Sequence, residues 1–311
     1  MNYLELAQRL RRKCRVAGSG PSGLTGQNEE YSRLLDFVNE AWMEIQRARD
    51  DWNFMRASAC CQTVAGQTTY SDSDFGITDL GYWALDFSNG DTFRNYANPG
   101  VTITTGSPGT ITLAGHGLND GEAVQFYATG ALPTEISTGT RYYVINKTTD
   151  TLQISTYGGT AMALSGSPSG VYMSSSGKAF SGARSEIFMN VWSYDDWRDT
   201  YLYGAMRSAY TRPIVVAKVP DNTLACGPIT SAGYTLVGDY YRVPSEMTAA
   251  TDEPSLPEQF HMAIVYKAMM YYGASEAAPE VYDDGAAQYK AILAQILRTQ
   301  TRPMRLAGAL A

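Results

Sequence analysis

The sequence predicts an α+β protein in which helical segments at both ends form a bundle with short strands and the middle forms an inserted all-β domain. Near both ends, large apolar side chains recur at spacings of three and four residues, which places them on one stripe of a helix. From about residue 99 to 178, charged residues become scarce, and β-branched runs alternate with Thr, Ser and Gly turns. The predicted helical domain is therefore discontinuous, made of residues 1–98 and 180–311, around an insert at 99–179.

Length and composition indicate a folded protein with more than one hydrophobic core. The chain has 311 residues, more than one hydrophobic core usually accommodates, and 44% of them are hydrophobic, which is ample material for folded cores. Its net charge of -7 argues against a protein that binds nucleic-acid phosphates over a wide surface. The 4 cysteines are irregularly spaced, and no apolar run follows the basic N-terminal residues, so we expect a protein made in a reducing cytoplasm, with no membrane span.

Two helices are predicted before the first strand. The first covers residues 2–16 and ends at a Gly-rich breaker, residues 18–26, which contains a G-x-G-x-x-G string without the preceding strand that a nucleotide site needs. The second begins at Asn28, whose side chain can cap the first turn. The residues of its apolar stripe that we expect in the packing core of the helical domain are Leu34, Leu35, Val38, Trp42, Ile45 and Trp52.

Strands are predicted on both sides of the insert and within it. Those before it lie at 60–64, 68–70 and 82–87, those inside it at 101–105, 110–113, 123–127, 141–145 and 152–156, and those after it at 214–219, 223–226, 234–237 and 239–243. Between the insert and the strands that follow it, Ser193 can cap a short helix. Its Trp197, Tyr201 and Leu202 would face the core.

A helical hairpin is predicted at the C-terminal end. Ser255 and Glu258 have the spacing of a capping box, and residues 273–279 separate two helical stripes, which favours antiparallel neighbours. The stripe residues expected in the packing core are Phe260, Ile264, Tyr271, Tyr289, Leu293 and Ile296.

The last residues of the chain lose the helical pattern. Basic and apolar side chains alternate there, as in a peptide that becomes ordered on a partner, and a frayed terminus is the alternative interpretation. The candidate docking residues of this tail are Arg298, Arg302, Met304, Arg305 and Leu306.

The chain has few of the residues and motifs that usually carry catalysis. His116 and His261 are the only histidines, and packing or capping roles are favoured for both. No C-x-x-C or H-E-x-x-H motif occurs, and the adjacent aspartate pairs fall near predicted helix starts, where carboxylates are stabilised by the helix dipole. We therefore expect no catalytic residue, no metal, no cofactor and no enzymatic activity.

Residues 34–56, 240–244 (YYRVP), 252–257 (DEPSLP) and 256–273 (LPEQFHMAIVYKAMMYYG) resemble the head-to-tail adaptor proteins of tailed bacteriophages. The insert, with its HGL, GEAV, YYVIN and DTLQI strings, is similar to a small β-domain that recurs in phage structural proteins.

The resemblance implies a virion protein at the head-tail junction, assembled in the host cytoplasm. It would form a ring, commonly a dodecamer, that binds the portal protein and a tail or nozzle protein and lets DNA pass through its lumen. A virion decoration protein or receptor-binding protein whose insert binds carbohydrate is the alternative. A cell-wall hydrolase is a third interpretation, opposed by the missing catalytic set.

Overall fold

The computed structural model describes residues 1–85, 93–138, 140–175, 186–231 and 233–301. The helices within these ranges are α1 (Tyr3–Lys13), α2 (Glu29–Arg47), α3 (Tyr194–Trp197), α4 (Met262–Ser275) and α5 (Pro279–Gln300). A π turn, Arg198–Leu202, continues α3.

All strands of the described residues lie between α2 and α4. They are β1 (Arg56–Gln62), β2 (Thr69–Tyr70), β3 (Leu80–Trp83), β4 (Phe93–Ala97), β5 (Thr102–Thr104), β6 (Thr110–Thr112), β7 (Ala123–Ala131), β8 (Tyr142–Ile145), β9 (Thr151–Ser155), β10 (Ser169–Ser175), β11 (Glu186–Trp192), β12 (Tyr210–Thr211), β13 (Val215–Lys218), β14 (Leu224–Gly227), β15 (Ile229–Thr230) and β16 (Tyr234–Arg242).

The chain divides into two compact units. The helical unit is made of Met1–Ala57 and the described part of Tyr241–Ala311, and it contains α1, α2, α4 and α5. The β unit is Ser58–Tyr240. The fold is therefore mixed α+β, and its strand content is larger than the short strands that the sequence predicts beside the helices.

An eight-stranded sheet forms one part of the β unit. Its order is β1-β16-β4-β11-β13-β14-β2, with β3 paired to β16, so strands from the start and the end of the unit meet. Phe93 is fully buried on it, edge-on to Trp83 at 5.9 Å between ring centroids. Phe75 packs against both rings. Aromatic rings thus make up much of this core.

A six-stranded sheet, in the order β10-β7-β8-β9-β6-β5, forms another part, and β12 and β15 pair in a separate two-stranded sheet. All of its strands lie between Thr102 and Ser175, inside the segment predicted as an insert. It has its own hydrophobic core, in which Ile111, Phe126, Val144 and Leu152 are almost completely buried. Alternating burial along β8 and β9 explains why these strands are recognisable in the sequence.

Tyr127 joins the two sheets. Its hydroxyl donates to the Gly233 carbonyl at 2.9 Å and accepts from Nδ2 of Asn98 at 3.0 Å, while its ring stacks on that of Tyr172 at 5.2 Å. The ring occupies the space of a side chain at position 233, which only glycine leaves open.

Two of the predicted strands are one strand. The sequence predicts 234–237 and 239–243 with a break at Gly238, but β16 runs through it. The ring of Phe93 lies where a Cβ of residue 238 would be, so this glycine permits close packing and does not make a turn.

The predicted capping box at Ser255 is not formed. A short 3-10 helix, Glu258–Phe260, begins there without a side-chain cap, and α4 starts only at Met262. The side chain of His261 instead bonds the Leu256 carbonyl through Nε2 at 2.7 Å. That contact stabilises the turn that leads into α4.

Candidate interaction surfaces

Helix α4 lies at the centre of the helical unit and contacts α1, α2 and α5. It is largely apolar around its circumference, with Lys267 as a charged exception, as expected for a helix with neighbours on several sides. Most of the side chains that the sequence places in the packing core are buried, namely Leu34, Leu35, Val38, Trp42, Ile45, Trp52, Phe260, Ile264 and Ile296. The remaining three, Tyr271, Tyr289 and Leu293, are half-buried.

Two glycines bring α4 and α5 together. A Cβ at Gly273 would lie 2.6 Å from the Tyr282 nitrogen, and one at Gly285 would lie 2.9 Å from the Tyr266 carbonyl oxygen. The prediction that a helix break begins at Gly273 is therefore wrong, because α4 continues to Ser275 and the glycine serves the approach of two antiparallel helices.

A charged cluster lies where α2, α4 and α5 meet. Nζ of Lys267 is 2.8 Å from a carboxylate oxygen of Glu44, and the Tyr271 hydroxyl donates to the other oxygen. The same ammonium lies over the rings of Tyr271 and Tyr289, at 5.5 and 5.4 Å from their centroids. The cluster links three helices from the two ends of the chain through ionic and cation–π contacts.

Burial and hydrogen bonding shift the pKa values of this cluster in opposite directions. Burial by itself would raise the pKa of Glu44, but the bonds from Lys267 and Tyr271 and the Lys267 charge outweigh it and hold that pKa below its ordinary value. Burial, with the nearby Glu44 charge, raises the pKa of Tyr289 to about 12. Glu44 is therefore ionised and Tyr289 is neutral at physiological pH.

An open groove of about 590 Å³ extends along one side of α2 from this cluster. Its lining side chains are Asp36, Asn39, Glu40, Met43, Glu44, Arg47, Glu246 and Tyr271. Four of these side chains are acidic and one is basic. Such a surface disfavours binding of DNA phosphates.

Two amides on α2 bind the segment that follows β16. Gln46 donates to the Ser245 carbonyl at 2.9 Å and accepts from its N–H at 3.1 Å, and Asn39 makes the same pair of bonds with Met247 at 3.0 Å. The two amides are seven residues apart and so lie on one face of the helix. Sequence reasoning missed them, because an Asn and a Gln on a solvated helix carry no distinguishing pattern.

The predicted docking tail is described only at its start. Arg298 is exposed in the last turns of α5, and the helix continues to Gln300, slightly beyond the point at which the sequence loses its pattern. Arg302, Met304, Arg305 and Leu306 lie outside the described residues.

Both histidines are buried and bonded to backbone atoms. Nδ1 of His116 accepts from the Leu118 N–H at 3.1 Å. The other ring nitrogen of His261 is 2.9 Å from the Met1 amine, and burial lowers the pKa of this imidazole. Among the residues that the structure describes, no three His, Cys, Asp or Glu side chains are grouped to hold a metal ion, and no helix is long and apolar enough to span a membrane.

The element formed by α3 and its π turn has one buried side. Ser193 caps it, since its hydroxyl accepts from the Asp196 N–H at 3.1 Å, and Trp197 and Tyr201 pack against Val215. Leu202, which the sequence places in the core, is exposed instead. The wider π turn carries it around to the solvent side.

The described residues thus pack helices together, form ion pairs and present exposed surfaces, as those of a structural protein do. The family model of the SU10 adaptor protein matches residues 118–309, more than half of the chain, and the chain belongs to this family of phage adaptor proteins. A comparison with curated proteins finds no match. Membership in a structural family favours a non-enzymatic role.

Proposed function

We propose that the protein is a head-to-tail adaptor that forms a ring below the portal, extends the DNA channel and provides the surface to which the tail attaches. The family match over residues 118–309 carries this proposal. The ring is a dodecamer located in the virion at the head-tail junction. It is assembled in the host cytoplasm from subunits that bind the portal on one side and a tail or nozzle protein on the other.

The charge of the chain supports passage of DNA through such a ring. Each subunit carries a net charge of -7, and a lumen of the same sign lets DNA slide without sequence-specific contact. Mixing the purified chain with portal particles and imaging them in negative stain tests the proposal directly. We expect added density with the symmetry of a dodecamer at the portal, and unchanged portal images would contradict it.

The terminal segments form the helical bundle that carries ring assembly, and the insert is dispensable for it. The nine buried stripe residues of the helical unit support this division. Replacing residues 100–176 with a short Gly/Ser linker should leave a chain that melts cooperatively and still forms rings on the portal. Loss of the cooperative melt would contradict the division into domains.

The C-terminal tail docks on the portal through its arginines and apolar side chains. Truncation after Arg298 should abolish portal binding in a pull-down and leave the melting temperature nearly unchanged. A chain with Arg302→Ser and Arg305→Ser should bind weakly, whereas the control Arg207→Ser, which removes one exposed positive charge from the β unit, should bind like the wild type. Undiminished binding by the truncated chain would show that the tail is only frayed.

A second candidate is a decoration or receptor-binding protein that recognises carbohydrate through the insert. Tyr157 favours it, because the side chain is 86% exposed and meets the ring of Tyr143 at 5.2 Å. Exposed tyrosine rings can stack on sugars. Glycan-array binding by the full chain that disappears in Tyr157→Ser would support this candidate, and absence of binding would remove it.

A further inference from the structure

Positive charge is concentrated at the start of the chain. Residues 1–27 hold five Lys and Arg side chains and one carboxylate, although the whole chain has a net charge of -7. Four of the five basic side chains are exposed and are here called the basic patch, namely Arg9, Arg12, Lys13 and Arg15. A cluster of exposed positive charge on an acidic protein indicates a polyanionic partner.

Helix α1 holds most of the basic patch on its solvent side. Leu6 and Leu10 are completely buried on the opposite side, where α1 contacts α2 and α4. Arg9 and Arg12 are three residues apart and share the outward face, while Lys13 lies one turn, about 6 Å, beyond Arg9. Duplex DNA carries one negative charge per about 1.7 Å of its axis, so a patch of this length can meet several phosphates.

No carboxylate among the described residues neutralises the basic patch. Glu5 lies one turn before Arg9, but its Oε2 accepts from the Asn2 N–H at 3.1 Å in the capping box of α1. None of the four patch residues forms an ion pair within the described ranges. Lys13 lies over the ring of Tyr266 at 5.4 Å, a contact that leaves its positive charge in place. The four charges are therefore available to an external partner.

Folding accounts for only some of these basic residues. Arg11 donates to two carbonyls of the loop that follows α1. Arg12 and Lys13 lie in the last turn of the helix, where positive charge is favourable to the helix dipole. Arg9 lies before that turn, and Arg15 has a φ of 56° at a position after the helix end that favours glycine. Neither the dipole nor the backbone explains an arginine at these two positions.

The surroundings of the basic patch fit DNA better than a second protein. Protein–protein interfaces have an apolar core, whereas protein–DNA interfaces are more polar and much more positively charged. Residues 1–27, all of which the structure describes, contain no exposed large apolar side chain. A second copy offers the acidic groove along α2, but Glu44 there is already paired with Lys267, and Arg47 lies among its acidic side chains. A phosphate backbone is therefore the partner whose chemistry matches.

We propose that the basic patch binds the phosphate backbone of duplex DNA, and that in the ring it holds the passing DNA through weak contacts that do not depend on base sequence. The second half of this inference rests on the proposed function. A few phosphate contacts on an otherwise acidic subunit retain DNA and still let it slide, because such binding is electrostatic and independent of sequence.

The test titrates a fluorescently labelled DNA duplex with the full chain at several salt concentrations and follows anisotropy. The logarithm of the association constant should fall linearly with the logarithm of the salt concentration, with a slope of about -0.9 for each phosphate contact. The double variant Arg9→Ser with Arg12→Ser should bind about tenfold more weakly or worse at low salt, and its slope should be smaller by about two.

Two further double variants serve as controls. Arg9→Lys with Arg12→Lys keeps both charges and should keep the slope of the wild type. Arg49→Ser with Arg207→Ser removes the same amount of charge elsewhere, from one arginine paired with Asp51 and one exposed on the β unit, and should bind DNA like the wild type. Circular dichroism melts verify folding. Should the Arg9→Ser, Arg12→Ser chain unfold, Arg12→Ser alone replaces it, with Arg49→Ser as its control.

Three results would overturn the DNA contact. They are a wild-type chain that does not bind the duplex at low salt, equal losses of affinity in the patch variant and the Arg49, Arg207 control, and a patch variant that loses self-association in sedimentation velocity but keeps its DNA affinity. The last result would assign the basic patch to a second copy. A chain that binds DNA through the patch but adds no density to portal images would contradict the proposed function and leave the DNA contact standing.

Discussion

The six-stranded sheet and the eight-stranded sheet differ in how far apart along the chain their strands lie. The first pairs β5 with β6 and β8 with β9 across short turns, entirely between Thr102 and Ser175. The second pairs β1 with β16, which start almost 180 residues apart, and the helical unit joins α2 to α4 over a still longer separation. Strands that pair across short turns leave a pattern of turn residues in the sequence. Which distant strands pair with each other depends instead on the fold of the whole chain.

The largest effect should come from the core of the eight-stranded sheet. Phe93→Ala removes a fully buried ring that contacts Phe75, Trp83 and Gly238, and should cost about 3–5 kcal/mol. Urea unfolding followed by tryptophan fluorescence measures it, because Trp83 adjoins the cavity. Phe188→Ala, on an exposed ring, is the matched control and should change stability little. A loss for Phe93→Ala as small as the control's would show that this core is not cooperative.

An equal truncation in the six-stranded sheet should stay local. Phe126→Ala also removes a buried ring and should cost about 3–5 kcal/mol, but Trp42, Trp52, Trp83, Trp192 and Trp197 all lie outside residues 102–175. Hydrogen exchange should accelerate in residues 102–175 while the tryptophan transition stays in place. If the tryptophan signal shifts in parallel, the two sheets unfold as one unit and the contrast between them disappears.

A smaller effect should follow from separating the two sheets. Tyr127→Phe deletes the hydroxyl that bonds Gly233 and Asn98 and should cost about 1–2 kcal/mol. Calorimetry should then resolve two transitions further apart than in the wild type. Tyr172→Phe is the control, since its ring stacks on Tyr127 but its hydroxyl makes no hydrogen bond within the described residues. Equal effects of the two variants would show that the hydroxyl does not connect the sheets.

The smallest effect should come from the long-range pair in the helical unit. Glu44→Gln removes an ion pair with a half-exposed carboxylate, and should cost about 0.5 kcal/mol at pH 7. Because folding lowers the pKa of Glu44, this stabilisation is complete above its ordinary value of 4.5 and is lost as the pH falls through the lowered value. The difference between wild type and variant in urea melts should therefore shrink on acidification below pH 4.5.

Glu40→Gln serves as the control for that measurement. Glu40 lies one turn earlier on α2 and makes no ion pair in the part of the chain that the structure describes. Its stability difference should be near zero at neutral pH. A difference for Glu44→Gln that is constant across the titration would mean that the pair with Lys267 does not stabilise the fold.

The sequence by itself determined the elements whose signals are local. Asn28 caps α2 as the pattern indicates, the stripe from Leu34 to Ile45 is buried, and five of the six strands between Thr102 and Ser175 lie close to their predicted positions. Caps depend on one side chain and its own turn, and amphipathic stripes depend only on the helical period. Such features are therefore independent of what the rest of the chain does.

Only the tertiary structure decided the contacts between distant residues. Gly238 continues a strand because Phe93 packs on it, Gln46 binds Ser245 across about 200 residues of chain, and Leu202 is exposed because a π turn rotates it away from Trp197. Elsewhere in proteins, the same residue types commonly behave differently: a glycine ends a strand, a helix glutamine faces solvent, and a leucine is buried. Their roles follow from space and partners that exist only once remote segments meet, since a packing contact is specified by both of its sides.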